Sequence, residues 1–96
     1  MIVVRESFTC KPGCASKLAN MMRDVFREFQ KHAKTRVLTD LVGTFNTVVL
    51  VTEYESLQAM EAAMQEYRTN KKLRKKMSGY TDYWIEGKRE LYQVVE

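Results

Sequence analysis

The chain has 96 residues, 45% of them hydrophobic and 29% charged, with one proline, four glycines and a formal net charge of +4. This is the composition of one compact domain spanning residues 1–96, and it excludes a disordered tail, a low-complexity linker or a membrane span. A domain this small hides roughly 60–65% of its unfolded surface, so its core is modest and association with a second copy is a natural supplement.

Residues 2 to 10 alternate, with Ile2, Val4, Glu6, Phe8 and Cys10 on one side and Val3, Arg5, Ser7 and Thr9 on the other, which predicts a strand whose first set faces the core. Met1-Ile2-Val3-Val4 gives way to Arg5-Glu6, too short an apolar run for a signal sequence, so a cytoplasmic protein is expected. Pro12-Gly13 breaks the strand. A helix is expected from Cys14 to Lys34, with Cys14, Leu18, Met21, Met22, Val25, Phe26 and Phe29 at helical spacing and Lys31 and Lys34 at its negative end. Cys10 and Cys14 stand four apart, and with one histidine in the chain they cannot complete a four-ligand metal site, so no metal is expected. Two readings of the cysteines stay open: small buried side chains, or a Cys14 thiol made reactive by the start of the helix.

Arg36–Val42 and Thr47–Tyr54 flank Gly43-Thr44-Phe45-Asn46 and predict a β-hairpin. Val48-Val49-Leu50-Val51 is apolar at every position, so both faces of this strand require cover, and the helices of one chain can supply only one. Asp40, between Leu38 and Val42, is a candidate for the uncovered face. Ser56 can cap a second helix with a stripe of Leu57, Met60, Met64 and Tyr67. Leu73 and Met77 fall on the opposite side of that helix, which predicts a break at Thr69-Asn70 and a short basic helix ending at Ser78-Gly79. Arg68, Lys71, Lys72, Arg74, Lys75 and Lys76 place six cations in nine residues, either a solvated helix face or a surface for an acidic partner. The aromatic segment Tyr80–Ile85 leads through Gly87 into a last strand, Arg89–Val95.

The resulting order, β-α-β-β-α-β, predicts an α+β, ferredoxin-like fold: a four-stranded antiparallel sheet with both helices on one face. An RNA-binding sheet has the same order, but the third strand, Thr47–Thr52, offers no aromatic on which a base could stack, so nucleic acid is not the expected partner.

The Lys11-Pro12-Gly13 turn after a short first strand, the strand running into Tyr54-Glu55-Ser56-Leu57, and the closing Gly87-Lys88-Arg89-Glu90-Leu91-Tyr92 strand together resemble the dimeric α+β barrel superfamily. It includes the antibiotic-biosynthesis monooxygenases, the NIPSNAP-like proteins and the heme-degrading monooxygenases. The resemblance implies a homodimer whose sheets close face to face, with a small-ligand pocket in each subunit between helices and sheet. It also implies functions that range from cofactor-free oxygenation of aromatic compounds to isomerisation and heme breakdown. The heme branch fits poorly: Glu6 occupies the place of its first-strand Asn, and Ser56–Met77 contains neither Trp nor His.

Glu6 is the one ionisable carboxylate in its apolar column, and a desolvated carboxylate is a candidate general base. His32 lies on the apolar stripe of the first helix. Counted from Gly13, Glu6 is roughly 23 Å down its strand and the helix reaches that depth near Phe29, so Glu6 and His32 form a candidate catalytic pair. Alternatively, Glu6 pairs with a nearby Arg and His32 meets water. Phe8, Phe29, Tyr54, Tyr67, Tyr83 and Trp84 are candidate walls for a flat ligand, or plain core. No metal or flavin motif is present, so the expected chemistry needs no cofactor. The competing expectation is a noncatalytic homodimeric module that uses the basic segment 68–76.

Overall fold

The computed structural model describes residues 1–30 and 33–96. Its elements are β1 (Ile2–Cys10), α1 (Ala15–Phe29), β2 (Thr35–Thr39), β3 (Thr47–Tyr54), α2 (Leu57–Thr69), α3 (Lys71–Lys76), a 3-10 turn at Tyr80–Asp82, and β4 (Trp84–Gln93). The strands form one antiparallel sheet in the order β2-β3-β1-β4. This is the expected ferredoxin-like α+β architecture, with the second helix broken where the apolar stripe changes sides. No helix among the described residues is long and apolar enough to cross a membrane.

Alternation along β1 fixes which face is covered. Val4, Phe8 and Cys10 are buried, as are Val48, Leu50, Thr52 and Tyr54 opposite them on β3. Leu18, Met22 and Val25 of α1 pack down on this face, and Phe8, Cys10, Leu18, Met22, Val48 and Leu50 form one continuous core cluster. Burying each of these large apolar side chains stabilises the fold by about 1.5–3 kcal/mol. Glu6 falls in the same column, directly across from Leu50 on one side and Arg89 on the other.

Three boundaries differ from the sequence expectation, each for a local reason. α1 ends at Phe29, because Gln30 turns the chain: its Oε1 accepts from the Thr35 amide at 2.6 Å and its Nε2 donates to Thr35 Oγ1 at 2.7 Å. β2 stops at Thr39, not Val42. Asp40 Oδ1 takes the Thr47 amide at 2.9 Å and closes the loop there, leaving Leu41 and Val42 98% exposed. β4 begins at Trp84, five residues before the expected Arg89, because Trp84 already pairs with Cys10 across a bulge. Leu57, expected in the apolar stripe of α2, stays 52% exposed at the helix start. The predicted caps are present: Ser56 Oγ accepts from the Ala59 amide and Asn70 Oδ1 from the Leu73 amide.

No helix among the described residues covers the other face of the sheet. Val3, Val49 and Val51 are only half-buried there, with Leu38 and Tyr92 exposed beside them, crossed by an ion pair from Arg5 to Glu90 at 2.8 Å.

Candidate ligand cleft

A cleft of about 590 Å³ opens between the helices and the covered face of the sheet. Glu6, Phe8, Leu50 and Arg89 form its floor; Met22, Val25 and Phe26 of α1 form one wall. Tyr67 and Arg68 at the end of α2, Leu73 and Arg74 of α3, and Met77 and Tyr80 beyond it form the other. The break at Asn70 creates this second wall. It ends α2 through the Asn70 amide, which donates to the Glu66 carbonyl, and restarts the helix with Leu73 turned into the core and Arg74 at the cleft.

Glu6 is not the isolated carboxylate that its apolar column predicted. Arg89 Nη2 donates to Glu6 Oε2 at 3.2 Å, a cross-strand pair with the Glu6 side chain 27% exposed. Two phenols complete this polar end. Burial pushes the Tyr67 hydroxyl well above its ordinary value, with Tyr54 and Glu6 adding to the shift and a hydrogen bond with Gln30 opposing it. Tyr54 is raised as well, first by burial and then by Glu6, with Arg89 opposing. Both hydroxyls therefore stay protonated at neutral pH and are available as donors.

Of the residues expected around a ligand, Glu6, Phe8 and Tyr67 stand on the cleft wall. Tyr54 is buried under the polar end. Phe29 lies at the last turn of α1 with the Lys76 ammonium 5.9 Å above its ring. Tyr83 and Trp84 pack against the core cluster, and the Trp84 ring lies 5.3 Å from that of Phe8 and 6.4 Å from that of Tyr80. His32 lies outside the described residues. Sequence reasoning missed Arg89, Arg68 and Arg74 as wall residues. The signal for Arg89 was present, since it shares the parity of Leu91, but its place opposite Glu6 was fixed only by the pairing of β1 with β4. Cys10 and Cys14 are free; burial pushes the Cys10 thiol up, with the Cys14 sulfur nearby adding to the effect.

No protein-family model matches the chain, and no curated protein matches it. Solved structures do. An uncharacterised NIPSNAP domain protein from Burkholderia xenovorans superposes with a TM-score of 0.83 at 15% identity, over 99% of this chain and 95% of that one. A NIPSNAP family protein from Agrobacterium tumefaciens gives 0.83 at 9% identity, over 99% and 93%. An antibiotic biosynthesis monooxygenase gives 0.75 at 12% identity, over the whole of both chains. The chain therefore has the fold of these proteins, and at such identities the likeness extends to the fold alone.

Proposed function

We propose that this protein is a homodimeric small-molecule protein that binds a flat, mainly apolar compound in the helix–sheet cleft and acts on it without a cofactor, as a monooxygenase or an isomerase. The observation that carries the reading is the cleft itself. It lies in the size range of roughly 300–1,000 Å³ common to small-ligand sites, and apolar side chains share its lining with one carboxylate, three guanidinium groups and the half-buried phenols of Tyr67 and Tyr80. The fold shared with an antibiotic biosynthesis monooxygenase supports the reaction class by analogy. Free thiols at Cys10 and Cys14 are consistent with a reducing, cytoplasmic setting.

Glu6 is the proton acceptor in this proposal, and His32 a second candidate on sequence grounds. A substrate with an acidic C–H gives its proton to the carboxylate, and the electron pair stays on the substrate, spread over its rings. In an isomerisation the proton returns to a different carbon. In an oxygenation dioxygen is the oxidant: a methylene becomes a carbonyl, one oxygen atom stays on the carbon and the other leaves as water. Arg89, already on Glu6, is placed to receive the carbanion charge when Glu6 is neutralised.

The test is dioxygen consumption and product mass with a panel of aromatic ketones bearing an acidic methylene. Glu6→Gln should lower turnover by about 10²–10⁴-fold while leaving binding in place. Turnover unchanged in both Glu6→Gln and His32→Ala would remove these residues from the chemistry.

A further inference from the structure

We infer that the ligand of the cleft is an organic anion, its acidic group held by Arg68 and Arg74 and its apolar body lying toward Phe8 and Leu50. This rests on the cleft being a ligand site and narrows what that ligand is. Three guanidinium groups and a single carboxylate line the cleft. Arg89 is matched by Glu6. Arg68 is held only by a neutral partner, donating to Gln65 Oε1 at 2.9 Å, and among the described residues no carboxylate lies within ion-pair distance of Arg68 or Arg74.

The surroundings strengthen that imbalance. Five of the six residues of α3 are cationic, and among the described residues only Lys76 meets an acid, Glu28 of α1. Like charges gathered at the rim of a low-dielectric cleft focus a positive potential into it and raise the local concentration of anions. Arginine suits the task because its planar fork gives two parallel hydrogen bonds to a carboxylate or sulfonate. Leu73 and Met77 stand on the same wall as Arg74, so an anion there is partly shielded from water. The basic segment is thus divided: Arg68 and Arg74 turn to the cleft, while Lys76 ties α3 to α1.

A matched pair of fluorescent probes tests this: anilinonaphthalene sulfonate, and phenylnaphthylamine, which has the same rings without the acid. At low salt the sulfonate should bind the full chain about tenfold more tightly, and the preference should shrink as salt is added. Arg68→Gln and Arg74→Gln should each weaken the sulfonate by roughly threefold to tenfold and leave the uncharged probe within about twofold. Both positions are exposed, and unchanged circular dichroism would verify folding. Equal binding of the two probes, or a sulfonate preference that neither substitution alters, overturns the inference and leaves an uncharged ligand for the cleft. Binding of neither probe overturns the ligand cleft and this inference together.

Discussion

A Cβ at position 87 would stand 3.2 Å from Trp84 Cζ3 and 3.5 Å from Phe8 Cδ1, so glycine there lets the indole fold back over its own strand onto the core. Gly87→Val should destabilise the fold by about 1–3 kcal/mol through overpacking, read as a lower denaturant midpoint at unchanged slope. Tyr67 makes a prediction in pH. Its folded value lies above the 10.0 of a free phenol, so above pH 10 the unfolded chain has already lost a proton that the folded chain keeps. The stabilisation is complete below that value and falls as pH rises beyond it. Tyr67→Phe should flatten the alkaline loss of stability, measured as denaturant midpoints from pH 8 to 11. Glu6 shows how far a single position can be read. Alternation in Ile2–Cys10 places it on the core face, but its partner Arg89 is 83 residues away and is reached only through sheet pairing.

Asn70 is the junction on which the second wall of the cleft depends. Its side chain caps α3 through the Leu73 amide at 3.1 Å and donates to Glu66 Oε1 at 2.8 Å. Asn70→Ala should cost about 1 kcal/mol of stability and weaken ligand binding more than an exposed substitution such as Lys72→Ala, because Leu73, Arg74 and Met77 are all positioned beyond the cap. This break was legible from the sequence, because a helix rotating 100° per residue cannot bury both Met64 and Leu73. The ends of β2 and α1 were not. They depend on two side chains, Asp40 and Gln30, that bond to backbone amides five or seven residues onward, and apolar periodicity carries no trace of such bonds.

The uncovered sheet face is the feature of the whole molecule that one chain leaves unfinished. Val3, Val49 and Val51 with Leu38 and Tyr92 make a half-buried apolar surface, and Ser7 Oγ on the same face is buried with no hydrogen-bond partner among the described residues. A concavity of about 780 Å³ on this face is bordered by Leu38, Val49 and the exposed loop from Asp40 to Thr44. The occupant proposed above is a second copy, which would bring the same alternation and the same need. Light scattering should give a mass of two chains at micromolar concentration. Val49→Lys should raise the dissociation constant at least about tenfold, since a lysine at the centre of such a contact would be buried unpaired. A monomer at all concentrations would reject the dimer and leave the face to another partner.

By itself the sequence determined the order of elements, the covered face of β1, the broken second helix and the apolar character of both sides of β3. Each of these follows from local periodicity and capping, which act within one or two turns of chain. Tertiary structure alone decided that Glu6 meets Arg89, that Gly87 makes room for Trp84, and that two arginines of a basic run face a cleft. Those relations depend on the register of β1 against β4, on how closely the Trp84 ring lies over its own strand, and on where α3 returns to the sheet.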